Sequence, residues 1–383
     1  MIESLFGSVP TVEPAGRTTK LLSAANRVFA LRDDGVLFGR GVDSATTGVL
    51  GNNGTSVIGS WFTVLTNVKD FWVSSAFTLI LTNDNRWFYN GRFVNGSSTP
   101  ALVPTDITSS FSALTNPIAK VVVGLFGIAI LDTTGQLYTM GTNSTGWAFT
   151  GNTTSQSVLT LRTETNIKDI AFCGLVGTFY IHYNDLSVKG AGAASVNQLG
   201  SPTANQTSLV VVSTASQAAQ EIVGGANLIW FKRASGWYFL GSNTNGQSGQ
   251  NTATGTGGTS QTLIAGSSGW TKLISSGYRT WTQAGANWYF AGSGNLSAGN
   301  INTAAPFNGT NVLTFSLIPT AGYPILSSPI SWVDGGSNTS YLLYNGFIYG
   351  CGNSTTNKLL PGNGTTNNLL GFRKLNNDFS YVE

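Results

Sequence analysis

The sequence predicts an all-β fold: a seven-bladed β-propeller of four-stranded repeats, each about 50 residues long, with the ring closed by the C-terminal strand. Three observations carry this expectation. One hairpin-like segment recurs along the chain, the glycines that end its copies are evenly spaced, and further strand signals lie between the copies.

The recurring segment is FALRDDGVLFGRG, ending at Gly41. Its relatives are LILTNDNRWFYNG at Gly91, AILDTTGQLYTMG at Gly141, FYIHYNDLSVKGAG at Gly192, IWFKRASGWYFLG at Gly241, WTQAGANWYFAG at Gly292 and YLLYNGFIYGCG at Gly352. The intervals between these glycines are 50, 50, 51, 49, 51 and 60 residues. Self-similarity at such a period marks stacked units, each of which buries its apolar surface only against its neighbours.

Each copy has the same grammar. An apolar strand such as Phe29 to Leu31 enters a polar turn, Asp33-Asp34-Gly35, and a second strand, Val36 to Phe38, leaves it, which reads as a β-hairpin. After the terminal glycine comes a loop carrying Gly-x-x-Gly, at Gly48 to Gly51 and Gly246 to Gly249, or its relative Asn197 to Gly200. Between hairpins lie strand signals at Trp61 (WFTVL), Phe111 (FSAL), Leu159 (LTLR), Leu209 (LVVV), Trp270 (WTKLI) and Phe315 (FSLI). A further apolar strand, as in DFWV, AKVVV and ISWV, leads into the next hairpin, making about four strands per repeat. Phe372 to Val382 matches the start of a repeat without a hairpin after it, while the hairpin near Asn26 lacks a matching outer strand. The C-terminus is therefore expected to complete the first blade and remove exposed sheet edges. Residues 1–19, with Pro10 and Pro14, read as a tether, and 20–383 as one propeller.

The run of aliphatic strand, DDG-type turn, apolar pair, glycine and then Gly241-Ser242-Asn243-Thr244-Asn245-Gly246-Gln247-Ser248-Gly249 resembles the regulator of chromosome condensation repeat. The resemblance covers roughly Leu21 to Val382 and implies a seven-bladed propeller, with much less about activity; some members of the family serve as bare interaction platforms. The family's best-known member is an exchange factor for a small GTPase that also docks on chromatin. Its usual tryptophan before the last glycine is replaced here by Arg40, Asn90, Met140, Ala191, Leu240, Ala291 and Cys351, and its basic tail has no counterpart. The resemblance thus implies the fold, and exchange activity is not expected from it.

Composition narrows the chemistry. Charged residues are 9% of the chain, against roughly a quarter in ordinary soluble proteins, so Asn, Thr, Ser and Gly must cover the surface. The net charge of +3 is spread out, with no Lys/Arg run to meet a row of phosphates, and nucleic acid is not an expected partner. The longest apolar segment, VVVGLFGIAIL from Val121 to Leu131, is about half a membrane span, so no membrane insertion is expected. The single histidine, His182, excludes the usual zinc site and Ser-His-Asp triad, and reads as a satisfied strand residue. Cys173, in IAFCGL, reads as a small buried hydrophobe. Asp33 and Asp34 are expected to turn the chain, because equivalent turns share turn-forming residues and no common carboxylate. No catalytic residue, metal site or cofactor is expected.

Function is best sought where copies break the pattern. The third loop, NSTGWAFTGN, carries Trp147 and Phe149 where other copies have small polar residues, and the longer last interval includes Tyr323. These three are the candidate binding residues; the competing reading packs the rings onto a neighbouring blade. The low charge and the Gly/Asn/Thr/Ser richness resemble many bacteriophage tail and adhesion proteins. That profile implies a non-enzymatic component of a virion tail, baseplate or capsid surface, made in the host cytoplasm. Its loops would meet neighbouring virion proteins or a host-surface glycan or protein. The alternative is a cytosolic propeller regulator that binds a small GTPase or another protein.

Overall fold

The structure is a computed structural model and describes residues 17–24, 27–43, 46–54, 57–92, 99–125, 127–174, 177–201, 203–253, 258–293, 311–318, 331–334, 339–352 and 369–374. The first sheet shows the plan that the others repeat. Strands β1 (Thr18–Ala24), β2 (Arg27–Arg32), β3 (Leu37–Val42) and β4 (Val57–Leu65) pair antiparallel in chain order. Further four-stranded sheets follow at residues 68–106, 118–161, 167–213, 221–263, 270–317 and 331–374.

The recurring hairpin is the second and third strand of each sheet. In the first, Arg27 pairs with Gly41 and Leu31 with Leu37 around the Asp33-Asp34-Gly35 turn. Asp34 Oδ1 accepts the Val36 N–H at 3.1 Å within the turn, and Asp33 Oδ1 accepts the Arg17 N–H at 2.9 Å, tying the turn to the start of β1. Asp132 and Asp185 brace their own turns in the same way, accepting the Thr134 and Ser187 N–H groups.

Both faces of these sheets are apolar, and this dictates a ring. Strand Phe77–Thr82 is buried at every position, as is Thr178–Tyr183, which only contact on both sides allows. The first strand of each sheet packs against the first strand of the next, from Thr18–Ala24 round to Ser331–Asp334, which returns to Thr18–Ala24. The core is accordingly split into wedges between successive sheets. One wedge joins Phe77, Trp87 and Phe111 to Val121 and Ile128; another joins Trp230, Trp237 and Phe239 to Trp270 and Leu273.

Two features correct the expected architecture. The blades are not seven equivalent units: six sheets have an outer strand of six to nine residues, whereas the sheet at 221–263 is small, with an outer strand of only Thr262–Leu263. Nor does the described part of the C-terminal segment complete the first sheet; residues 375–383 lie outside the described residues. Leu369–Lys374 pairs with Phe347–Gly352 of its own sheet, and β4 supplies the first sheet's outer strand, Leu37 pairing with Leu65. Each outer strand folds back on the hairpin before it, so the first sheet needs no borrowed strand. Closure is by packing: Leu21, Val28 and Ala30 meet Tyr341 and Ile348, and the Thr18 N–H donates to the Gly346 carbonyl at 3.1 Å. The first strand starts at Thr18, inside the segment expected to be a tether; residues 1–16 lie outside the described residues.

The Gly-x-x-Gly loops have a role beyond reversing the chain. They reach across to the next sheet's outer strand: Asn53 N–H donates to Leu102 O at 2.8 Å, Gly151 to Thr207 at 2.9 Å and Asn251 to Leu313 at 2.7 Å. A Cβ on Gly48 would lie 2.7 Å from Ala101 O, and one on Gly249 2.2 Å from the Phe315 ring, so a side chain at either position would part the loop from the strand.

Candidate functional site

The face of the ring that carries the hairpin turns also carries a ring of charge. Register places Lys20, Asp70, Lys120, Asp169, Glu221 and Lys272 at equivalent positions near the start of successive first strands. Lys20 Nζ meets Asp70 at 2.6 Å and Lys120 Nζ meets Asp169 at 2.6 Å, each pair bridging two sheets, while Glu221 reaches Lys232 within its own sheet at 3.9 Å. Part-exposed pairs of this kind contribute about 0–1 kcal/mol each, so they set relative position more than stability. Burial lowers the Lys272 pKa. Two further lysines stand on this rim: Lys69 is exposed, and Lys168 donates Nζ to Gln220 O at 2.8 Å.

The same face opens into a cavity of about 960 Å³ between the second and third sheets. Its wall is aromatic: Trp72 stacks on Trp87 at 5.8 Å between centroids, and Trp87 on Phe111 at 4.2 Å, with planes 9° apart in the second pair. Lys20 Nζ sits 4.9 Å from the Trp72 ring centre. Around the opening lie Lys69, Asn85, Thr108, Ser112, Thr115 and Asn116. On the opposite face the channel mouth is shaped by Ser23, Ser74, Ser75, Ser275 and Ser276 with adjacent glycines, and carries no charged side chain among its lining residues. A Cβ at Gly224 would lie 2.2 Å from Phe172 O, so small residues let the first strands converge there.

The residues singled out by sequence fall elsewhere. Trp147 is 3% exposed; its indole N–H donates to Thr142 O at 2.7 Å, and its ring packs on Phe172 and Phe179 at 5.1 and 6.2 Å. Phe149 is half-buried, stacks on Phe179 at 6.0 Å and lies under the Arg162 guanidinium. Both rings fill the gap between the third and fourth sheets, and Trp147 offers almost no surface to a partner. Gly127 makes room for the indole, since a Cβ there would lie 2.0 Å from it. Tyr323 lies outside the described residues.

His182 is 1% exposed, and its Nε2–H donates to Ala219 O at 2.7 Å. Its register mates in other sheets are Leu81 and Leu131, so it occupies a core position, where burial lowers its pKa. Cys173 is fully buried, contacts Leu228 O at 3.0 Å, and has its pKa pushed up to about 12 by desolvation. Among the described residues no three His, Cys, Asp or Glu are grouped to hold a metal, and no helix is long and apolar enough to cross a membrane. What sequence reasoning missed was the cavity, whose signal was the long connection between the second and third sheets, masked by an unchanged overall period.

Comparison with known proteins agrees on the architecture. No protein-family model matches the sequence, and no curated protein matches it. Among solved structures, Prp20p from Saccharomyces cerevisiae, in a study of its binding to Gsp1p and histones, superposes with a TM-score of 0.69 at 13% identity, over 90% of this chain and 86% of that one. Yeast RCC1 (Prp20) bound to Kap60 gives 0.63 at 12% identity, over 80% of this chain and 76% of the other. At such identities the likeness speaks for fold alone: this chain is an all-β propeller, similar in fold to Prp20.

Proposed function

We propose that this chain is a non-enzymatic binding propeller whose ligand is another protein, with a small GTPase as the first partner class to test. The observation that carries the reading is the 0.69 superposition on Prp20p, a propeller described by its binding to Gsp1p and histones. The site fits a binding role. It offers an aromatic-walled cavity and a lysine-bearing rim, while the acids Asp33, Asp34, Asp70 and Asp169 are engaged in turns or ion pairs. The composition-based virion reading gains nothing from the fold.

The test is titration calorimetry of the purified chain against small GTPases, each nucleotide-free and GDP-bound, with release of a fluorescent GDP followed in parallel. Saturable one-to-one binding supports the reading, and faster GDP release would add exchange activity. Heats of dilution alone across the panel would sink the GTPase class. If no protein partner is recovered by crosslinking in the native host either, the binding-platform reading falls with it.

A further inference from the structure

The cavity between the second and third sheets is lined by an unusually long connection. Successive sheets are joined by two residues (66–67), five (162–166), seven (214–220) and six (264–269), but the second and third are joined by eleven (107–117), the longest connection that lies wholly within the described residues; the thirteen at 318–330 lie mostly outside them. The connection opens with the short 3-10 turn Thr108–Phe111, which sets Phe111 on Trp87, and beyond it Ser112, Leu114, Thr115, Asn116 and Pro117 line the cavity. The opening is apolar within, at Trp72, Leu81 and Leu114, and polar at its rim.

The charges that line it are unequal. Asp70 is matched by Lys20 and Lys120 by Asp169, which leaves Lys69 as the one lining charge with no ion pair among the described residues. Beyond the lining, Arg86 is paired with Asp106, exposed Asp84 accepts the Asn67 side-chain amide at 3.3 Å, and Asp132 accepts Asn116 Nδ2 at 2.9 Å. An incoming carboxylate would meet a free ammonium at Lys69, whereas an incoming cation would meet only carboxylates already engaged.

We propose that this cleft takes a short peptide segment of a partner protein, one that seats a bulky apolar side chain against Trp72 and Leu114 and sets a flanking carboxylate on Lys69. The proposal rests on the protein-binding reading and assigns its contact to one joint of the ring. An aromatic anchor in a desolvated pocket carries most of such binding, while a rim charge tunes rate and salt dependence.

The probe is a fluorescein-labelled hexapeptide with one tryptophan between acidic residues, compared by anisotropy with its Asn/Gln and Lys counterparts. The acidic peptide is expected to bind best and to weaken as salt is raised. Lys69→Glu should cut its affinity about tenfold, mostly in the association rate. Thr115→Trp, at an exposed lining position, should fill the cleft and remove binding, while Thr259→Glu on the far face should change nothing. Thermal melts of all three variants confirm that the fold is kept. Equal binding of the three peptides, preference for the lysine peptide, or indifference to Lys69→Glu and Thr115→Trp overturns the proposal. A protein partner that binds wild type and Thr115→Trp alike would sink the cleft and leave the platform reading standing.

Discussion

Arg27 and Asp43 form a buried ion pair at 3.4 Å, with side chains 8% and 0% exposed. Asp43 also accepts the Val49 and Leu50 N–H groups, bracing the loop that clasps the second sheet. Asn143 and Asn243 do the same job uncharged, each accepting one loop N–H, from Ala148 and Ser248. Removing Arg27 takes a guanidinium away from a buried carboxylate, so Arg27→Ala should cost about 3 kcal/mol in urea unfolding. Adding Asp43→Asn to that variant should restore more than half of the loss, because the sheet then adopts its relatives' chemistry. A double variant less stable than Arg27→Ala would show that the pair does more than neutralise itself. Cys173 gives a second test. Its folded pKa, pushed up to about 12, lies above the ordinary thiol value of about 8.5, so its contribution is whole below about 8.5 and is lost as pH rises from there towards about 12. In a Cys351→Ser background, the urea midpoint should fall more steeply above about pH 8.5 than it does with Cys173→Ala added. Parallel curves would contradict the burial.

At the scale of the element, the glycine that ends each hairpin is the residue most tightly specified. Gly91, Gly192, Gly241 and Gly292 have φ of 104°, 112°, 115° and 120°, and a Cβ on them would lie 2.2–2.5 Å from a carbonyl across the hairpin's open end. Gly241→Ala is therefore expected to cost at least 1–3 kcal/mol, roughly the strain of a non-glycine residue held in such a region. Gly135→Ala, with φ of 84° but nothing within 4 Å of the new Cβ, should cost less. Equal losses would mean that backbone strain alone sets the requirement. This constraint is why the hairpins were legible in the sequence: a turn, two apolar strands and an obligatory glycine are all local. The outer strands were not. FSAL at Phe111 read as a strand but begins at the last residue of a 3-10 turn, Thr108–Phe111, and the true strand is Ala101–Asp106, which contains Pro104. Proline is tolerated there because the strand lies at the sheet's edge.

Across the whole molecule, the missing information was the direction of pairing. A strand midway between two hairpins reads the same whether it pairs back or forward, so the sequence suggested a C-terminal strand completing the first sheet, whereas β4 pairs back onto β3. Likewise, loop aromatics such as Trp147 read alike whether they face solvent or the next sheet, because the deciding partners, Phe172 and Phe179, belong to the following repeat. The cavity was hidden for a related reason, since the connection that lines it reflects how one period is divided and not its length. Closure by packing makes a distinct prediction. Arg373 pairs with Gly350 within the last sheet, so Arg373→Pro removes a ladder position there without touching the first sheet. Hydrogen exchange should then speed up along Phe347–Gly352, while the amides of β2 and β3 keep their protection. Lost protection in β2 and β3 would mean that the C-terminal strand closes the ring after all. Tyr341→Ala should do the reverse: it opens a void against Leu21 and Val28, costs about 3–5 kcal/mol as an aromatic truncation in a core, and loosens both sides of the joint together.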